Sequence, residues 1–158
     1  MTPHEKFMKK ALKEAQKAFA NNEVPIGAVV VKDGKIIAKG YNKIELKQDP
    51  TAHAEIVALA AAAKKIGTWR LDDCQLFVSV EPCVMCLGAC FQARVKKIVF
   101  GAGDSRFGAI SNKNYVEIAK NVYMREPEIV GGVCEEKCKE LLQTFFRQIR
   151  IKNKSLKN

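Results

Sequence analysis

The chain has 158 residues, of which 47% are apolar and 28% are charged, and its formal net charge is +10. This length and composition are those of one globular domain, and the lack of internal repeats or low-complexity segments excludes a repeat or fibrous architecture. The positive charge leaves two interpretations open: a polyanionic partner such as nucleic acid, or a basic protein without such a partner.

No targeting or membrane segment is predicted. The first residues, Met1 to Lys6, lack the apolar core of a signal peptide, and the longest apolar run, Ile56 to Ala63, is too short to span a bilayer. We therefore expect a cytoplasmic protein without a membrane partner, whose six cysteines are mostly reduced. Closely spaced cysteines in a reducing compartment indicate metal binding before disulfide formation.

The N-terminal part of the chain predicts a helix followed by a hairpin. Thr2 to Glu5 indicates a helix start, with Thr as N-cap, Pro at the first helical position and Glu three residues after the cap. Apolar residues at helical spacing continue this helix to about Asn21. Two antiparallel strands, 26–31 and 35–39, are then predicted on either side of a tight turn at Asp33–Gly34.

The rest of the chain alternates strands and helices after a polar loop at 40–49. We predict helices at 52–66, 84–93, 115–120 and 134–150, a loop at 102–114, and strands at 75–80, 97–101 and 128–133. The strand–helix–strand order around 84–93 implies a parallel crossover. The complete order predicts an α/β fold, a three-layer α/β/α sandwich around a mixed five-stranded sheet. It forms one domain over 1–152, followed by a basic tail at 153–158.

Two cysteines at a strand-to-helix junction give the first chemical signal. Cys83 and Cys86 follow Pro82 and, at the start of a helix, their three-residue spacing places them on one face. A helix N-terminus stabilises the thiolate, which is the form of cysteine that binds metal. The alternative is a redox pair, but a thioredoxin-like pair follows the first strand of its fold, whereas this one follows the third predicted strand.

His53 completes a set of three zinc ligands with Cys83 and Cys86. The only other histidine, His4, lies in the first predicted helix and is remote in sequence. His53 precedes another predicted helix, so two helix starts converge on one point. Three protein ligands leave the fourth zinc position open, which is typical of catalytic and not of structural zinc.

Glu55 lies two residues after His53, and on a helix this spacing points the two side chains in different directions. We therefore do not expect Glu55 as a fourth ligand. In the first turn it can reach the cavity beside the metal, take a proton from the water and return it to the ring nitrogen and the leaving amine. The alternative is a solvated helix glutamate.

The remaining cysteines give weaker signals. Cys90 lies one helical turn after Cys86 and is expected in the core. Cys134 and Cys138 are one turn apart on the last predicted helix, where a second metal stays open as an alternative to packing. No other group of ligand residues lies near them in sequence.

His-x-Glu followed by Pro-Cys-x-x-Cys is the signature of the zinc-dependent nucleobase deaminases. Nearly the whole chain resembles the cytidine deaminase-like superfamily and, within it, the bacterial-type tRNA-specific adenosine deaminases. The segments that carry this resemblance are 24–29, Asn42, 49–56, 81–86, 99–101, Asp104, 108–109 and 138–150, the last containing Phe145-Phe146-Arg147.

The resemblance implies a zinc-dependent hydrolase that converts the wobble adenosine, adenosine 34 of a tRNA anticodon loop, to inosine. It implies Glu55 as the catalytic proton carrier and one zinc ion per subunit. It also implies a homodimer that contacts the anticodon stem-loop through its last helix. The substrate-binding residues that it implies are Val24, Asn42, Ala54, Asp104 and Phe145, with Asn42 reading the flipped base.

Two other functions stay open at this point. One is a deaminase of free guanine or cytosine that uses the same metal and glutamate. The other is a nucleic-acid-binding protein with a structural zinc, which the missing fourth ligand and the presence of Glu55 disfavour. From Phe145 to Asn158 the chain has five Lys or Arg and no acidic residue, which leaves two alternatives, a contact with phosphates and a solvated end.

Overall fold

The computed structural model describes residues 1–111 and 113–157. Asn112, in the predicted loop, and Asn158, at the end of the predicted tail, lie outside the described residues. The helices are α1 (Pro3–Ala20), α2 (Ile44–Lys47), α3 (Ala54–Ile66), α4 (Val84–Ala93), α5 (Tyr115–Tyr123) and α6 (Glu135–Lys157). The strands are β1 (Gly27–Lys32), β2 (Lys35–Tyr41), β3 (Cys74–Val80), β4 (Lys97–Ala102) and β5 (Glu128–Val130). In the described part of the chain, no helix has the length and apolar character needed to cross a membrane.

The five strands form one mixed sheet in the order β2-β1-β3-β4-β5. β1 pairs antiparallel with both β2 and β3, whereas β3 with β4 and β4 with β5 are parallel. The predicted hairpin and the predicted parallel crossover through α4 are therefore confirmed. Because a parallel pair places both carboxyl ends at one edge, the segments after β3 and β4 meet at the same end of the sheet.

Helices cover both faces of the sheet, which confirms the predicted three-layer α/β class. On one face, Met8 of α1 and Cys138 of α6 pack with Phe77 and Val99 of the central strands. The opposite face carries a second core in which α3 and α4 pack on the same strands, with residues of α5 at its edge. Cys138 thus lies in a packed core, in keeping with the packing alternative for this cysteine.

The helix starts have local causes that the sequence shows. The Thr2 hydroxyl accepts a hydrogen bond from the Glu5 backbone N–H and the Glu5 carboxylate accepts one from the Thr2 N–H, so the predicted capping box is confirmed. A helix end also has a local cause. Gly67, at the C-terminus of α3, has a φ of +78° and terminates that helix in the left-handed conformation.

α3 lies unusually close to β2 because Gly40 has no side chain. A Cβ atom at Gly40 would lie 2.7 Å from both the Ala54 carbonyl oxygen and the Ala58 backbone nitrogen. The small residues of α3 allow the same approach from the helix side. This contact fixes the N-terminus of α3, and therefore His53 and Glu55, relative to the sheet.

The predicted polar loop at 40–49 is wrong in one respect, because it contains the short helix α2. The cause lies outside the loop: the buried carboxylate of Glu23 accepts hydrogen bonds from the backbone N–H groups of Glu45 (3.0 Å) and Leu46 (2.8 Å). These are N–H groups of the first helical turn, which lack partners within a helix. No local sequence pattern in the loop indicates a cap supplied from that distance.

The last helix is longer than the sequence pattern indicates. It begins at Glu135 and continues to Lys157, past the predicted end at Arg150. Residues 153–157, predicted as a tail, continue this helix and are exposed. The apolar pattern stops where α6 leaves the core, and the helix then proceeds with solvated side chains.

Candidate active site

Two helix N-termini meet at the ends of β3 and β4. His53 is the N-cap residue of α3 and Cys83 is the N-cap residue of α4, both with extended backbone conformations. Cys86 follows in the first turn of α4 and is buried. The predicted convergence of two helix starts is therefore present in the structure.

The three side chains form a compact donor group. The His53 Nδ1 atom lies 3.5 Å from the Cys83 Sγ atom and 3.4 Å from the Cys86 Sγ atom, and all three donor atoms lie within 4.8 Å of one another. Donors bonded at about 2.1–2.3 Å to one tetrahedral ion stand roughly 3.4–3.8 Å apart, so these separations fit zinc. Among residues 1–111 and 113–157, no second group of three metal-binding side chains is found. Cys134 and Cys138 therefore do not belong to such a group in the described part of the chain.

The protons of this group are unevenly distributed. A hydrogen bond from the Cys86 thiol, with a further one involving His53, lowers the pKa of Cys83 to about 4. The Cys86 pKa is raised because its thiol donates to Cys83 and because it is buried. The hydrogen bond with Cys83 raises the pKa of His53. Because a cysteine binds metal as its thiolate, binding of a metal by all three groups must displace the proton of Cys86.

Glu55 lies in the first turn of α3 and is only 4% exposed. It is not part of the donor group formed by His53, Cys83 and Cys86. Its burial raises the pKa of the carboxyl group. The residue is thus placed as the sequence predicts, beside the donor atoms without being one of them.

A cavity of about 480 Å³ opens beside this group, and His53, Glu55 and Cys83 line it. Four of the five predicted substrate-binding residues also line the cavity, namely Val24, Asn42, Ala54 and Asp104. Its volume falls within the range of small-molecule sites. The structure therefore brings together nearly all of the predicted site residues around one opening.

Phe145, the fifth predicted substrate-binding residue, is placed elsewhere. It is 5% exposed and packs edge-on against Phe19 of α1, with 5.5 Å between ring centroids. Phe146 is 43% exposed and lines the cavity together with Leu142, one helical turn before it. Adjacent residues on a helix point in directions about 100° apart, so only one of two neighbouring phenylalanines can face the cavity. Leu142 and Phe146 are four residues apart and therefore lie on the same face of α6. This spacing was the sequence signal that could have identified Phe146 as the residue that faces the cavity.

Asn42 is buried and held by its own loop. Its amide Nδ2 donates to the Val24 carbonyl oxygen at 3.4 Å, and its Oδ1 accepts from the Ile44 backbone N–H at 3.4 Å. Both bonds are long and join Asn42 to neighbours of the cavity wall. The amide is thus oriented before any substrate enters.

Glu81 holds a loop of the cavity wall, a role that its sequence pattern did not predict. Its buried carboxylate accepts three backbone hydrogen bonds, from Asp104 (3.1 Å), Ile110 (2.9 Å) and Ser111 (2.8 Å). Together they fix the loop at 103–111, part of which lines the cavity. Its place directly before Pro82 gave no signal of this role, because the loop it holds is more than 20 residues away in sequence.

The chain is similar to known deaminases in sequence and in structure. The family model of the MafB19-like deaminase matches residues 2–150. A tRNA-specific adenosine deaminase of Bacillus subtilis (strain 168) is 45% identical over 155 residues, which are 98% of this chain and 96% of the relative. A solved structure from a study of A-to-I editing by tRNA:A34 deaminases at the wobble position of transfer RNA is 37% identical. It superposes with a TM-score of 0.82 and covers 87% of this chain and 99% of that one.

A solved guanine deaminase from Nitrosomonas europaea is also similar, with 27% identity and a TM-score of 0.79 over 89% of this chain and 83% of that one. The shared fold, with a His–Cys–Cys group beside a buried glutamate, defines the class of zinc-dependent deaminases. Within that class, the identity to its curated relatives extends over nearly the whole length of both proteins. The chain belongs to the family of tRNA-specific adenosine deaminases.

Proposed function

We propose that this protein hydrolyses the wobble adenosine of a tRNA anticodon, adenosine 34, to inosine and ammonia. The observation that carries the proposal is the near-full-length identity to tRNA-specific adenosine deaminases. The cavity supports the proposal. A nucleobase that has flipped out of its stack must reach the metal-binding group, and the cavity opens beside the group formed by His53, Cys83 and Cys86. An anticodon loop base is already partly unstacked, which keeps the cost of flipping small.

His53, Cys83 and Cys86 would hold the zinc ion. When bound, zinc lowers the pKa of a water molecule towards neutrality and so supplies the nucleophile for C6 of adenine. Glu55 accepts the proton that this water loses, and donates it to the ring nitrogen next to C6. A second proton passes through the same carboxylate to the amino group, which leaves as ammonia. Burial raises the pKa of Glu55, which makes its carboxylate a better proton acceptor than an exposed one.

Asn42 is the proposed reader of the base. Its amide has one donor and one acceptor group, and these match the alternating acceptors and donors at the edge of a purine. The long hydrogen bonds to Val24 and Ile44 are compatible with partial exchange for bonds to a substrate. Val24 and Ala54 line the cavity beside it and contribute apolar contacts to the ring.

α6 supplies the proposed contact with the anticodon stem-loop. A groove lined by Leu142, Gln143, Phe146, Arg147 and Arg150 shares two of its residues with the active-site cavity. In this proposal the two arginines bind phosphates next to the flipped nucleotide. With tRNA as the substrate, the proposed place of action is the cytoplasm.

We further propose a homodimer that joins the outer faces of α3 and α4. Both helices are apolar beyond the face that covers the sheet, and a groove between them is lined by Ile56, Ala60, Trp69 and Ala89 among others. A helix that is apolar on its outer face is typical of an interface. Sedimentation equilibrium tests this proposal: the wild type should be a dimer and Ala60→Glu a monomer. If both proteins are monomers, the proposal is contradicted.

The function is tested with three substrates for one purified protein: an anticodon stem-loop with wobble adenosine, free guanine and free cytosine. We expect inosine from the RNA and neither xanthine nor uracil from the bases. The similarity to the Nitrosomonas europaea guanine deaminase makes free guanine the second candidate. Xanthine formation without inosine would replace the proposed function by that one. A stem-loop with guanosine at the wobble position is the matched control.

A further inference from the structure

One aromatic side chain on the cavity wall has no role in the reaction described above. Phe107 lies in the loop at 103–111, lines the active-site cavity and is 61% exposed. Single exposed apolar residues are common on protein surfaces, so exposure alone indicates little. Its position at the cavity, on a loop that is held in place, is the informative feature.

The backbone around Phe107 is fixed by hydrogen bonds that its N–H groups donate to two carboxylates, those of Asp104 and Glu81. Asp104 Oδ1 accepts from the backbone N–H groups of Arg106 (3.1 Å) and Phe107 (3.0 Å). The Lys113 ammonium donates to the Arg106 carbonyl oxygen at 2.7 Å. Glu81 holds both ends of the same loop. Phe107 is thus presented to solvent on an ordered turn, so little conformational entropy is lost when a ligand covers it.

The surroundings of the ring are cationic. The Arg106 guanidinium lies over the Phe107 ring, 4.8 Å from its centroid. A planar cation beside an exposed ring combines a surface on which a base can stack with a charge that attracts phosphate. Across the same cavity wall, Phe146 is the second exposed aromatic residue.

We propose that Phe107 stacks on the base of a nucleotide that directly neighbours the reacting adenosine in the RNA, with Arg106 reinforcing this contact. The proposal rests on the proposed function and extends it to the binding of a nucleotide other than the reacting adenosine. Stacking uses the face of the base and not its hydrogen-bonding edge, so Phe107 contributes affinity that tolerates different sequences. In this role Phe107 contacts a neighbouring nucleotide and not the reacting atoms, and therefore should act on KM and not on kcat.

The test compares Phe107→Leu, which keeps apolar volume but loses the aromatic plane, with Phe107→Trp, which keeps the plane. Each zinc-loaded variant is assayed on a wobble-adenosine stem-loop, and on stem-loops that are abasic on the 5′ or on the 3′ side of that adenosine. We expect Phe107→Leu to raise KM about tenfold on the intact RNA, in line with one lost base–aromatic stack, and to leave kcat within about twofold. Phe107→Trp should keep the wild-type KM.

The abasic RNAs separate stacking from a structural effect. On the RNA that lacks the stacked base, Phe107→Leu and wild type should have equal KM values, because the interaction being deleted is already absent. Tyr115→Leu removes an exposed aromatic residue away from the cavity and should leave KM unchanged on every RNA.

Four results would overturn the proposal. An unchanged KM for Phe107→Leu on the intact RNA removes Phe107 from substrate binding while the proposed function stands. An equal rise in KM on intact and both abasic RNAs, or a changed sedimentation of Phe107→Leu with RNA binding intact, assigns the residue to the fold or to a contact between copies of the chain. Absence of inosine with the wild type overturns the proposed function, and the stacking proposal with it.

Discussion

At the scale of single residues, position relative to the donor group separates Glu55 from its neighbour His53. Both stand at the start of α3, yet only His53 joins Cys83 and Cys86 within 4.8 Å. Glu55→Gln keeps the volume and polarity of the side chain but cannot carry a proton. We expect this variant to retain one zinc per chain and to lose about 10²- to 10⁴-fold in kcat.

Metal content by atomic spectroscopy and single-turnover assays check this expectation together. Cys83→Ser is the control for the donor group and should lose zinc, because it removes one of the three donors. Turnover close to wild type in a zinc-loaded Glu55→Gln protein would remove Glu55 from the proton-transfer role. Loss of zinc from that variant would show that the carboxylate supports the donor group instead.

Glu81 is the second residue whose effect can be isolated. Replacement by Gln puts an amide N–H group against the backbone N–H groups of the loop at 103–111, so at least one buried donor loses its acceptor. We expect a loss of about 1–3 kcal/mol in the free energy of unfolding. KM for RNA should rise as well, since the loop carries Asp104 and Phe107 to the cavity.

Urea denaturation of the zinc-loaded protein measures the first effect and steady-state kinetics the second. Glu14→Gln is the matched control, because Glu14 is as buried as Glu81 but its carboxylate accepts a hydrogen bond from the exposed Lys17 side chain and, among residues 1–111 and 113–157, from no backbone N–H group. Equal stabilities of the two variants would contradict the assigned role of Glu81. An unchanged KM would limit that role to stability.

At the scale of elements, the approach of α3 to β2 fixes the site. Gly40→Ala places a methyl group 2.7 Å from two backbone atoms of α3, which can respond only by moving the helix. We expect a loss of about 1–3 kcal/mol in the free energy of unfolding. Because α3 begins directly after His53, zinc affinity should fall too, measured by competition with a chromogenic chelator.

Gly34→Asn provides the matched control on the same hairpin. Gly34 lies in the turn with a φ of +73°, and a Cβ atom added there would meet no other atom within 4 Å. Asn tolerates this left-handed conformation better than most other residues that carry a side chain. Its substitution should cost less than Gly40→Ala and leave zinc affinity unchanged. A weaker effect of Gly40→Ala than of Gly34→Asn would show that α3 adjusts freely.

The elements also show which parts of the fold a sequence can predict. The capping box at Thr2, the turn at Asp33–Gly34 and the stop at Gly67 are local, because each needs a residue type at one position. The donor group was predictable because metal chemistry requires histidine and cysteine at fixed spacing. α2 and the loop at 103–111 depend on the distant carboxylates of Glu23 and Glu81, and no local pattern contains that information.

At the scale of the whole molecule, part of the net charge of +10 lies next to the active-site cavity. In the proposed function, the basic residues that contact RNA are two arginines of α6 that line the groove next to the cavity, Arg147 and Arg150. Each phosphate contact releases counterions, so the affinity for RNA falls with salt in proportion to the number of contacts. The double variant Arg147→Gln/Arg150→Gln should therefore bind a stem-loop more weakly, and its plot of log Kd against log salt should be shallower by about 1.4–1.8.

The matched control removes the same charge elsewhere. Lys64→Gln/Lys65→Gln changes two exposed lysines in the last turn of α3. This variant has the same net charge as the arginine variant, so a field of the whole protein would affect both equally. A contact made by α6 lowers the salt slope of the arginine variant alone. Equal slopes for the two variants would show that the charge steers RNA without a specific site, whereas a wild-type slope near zero would remove phosphate contacts from the binding of RNA altogether.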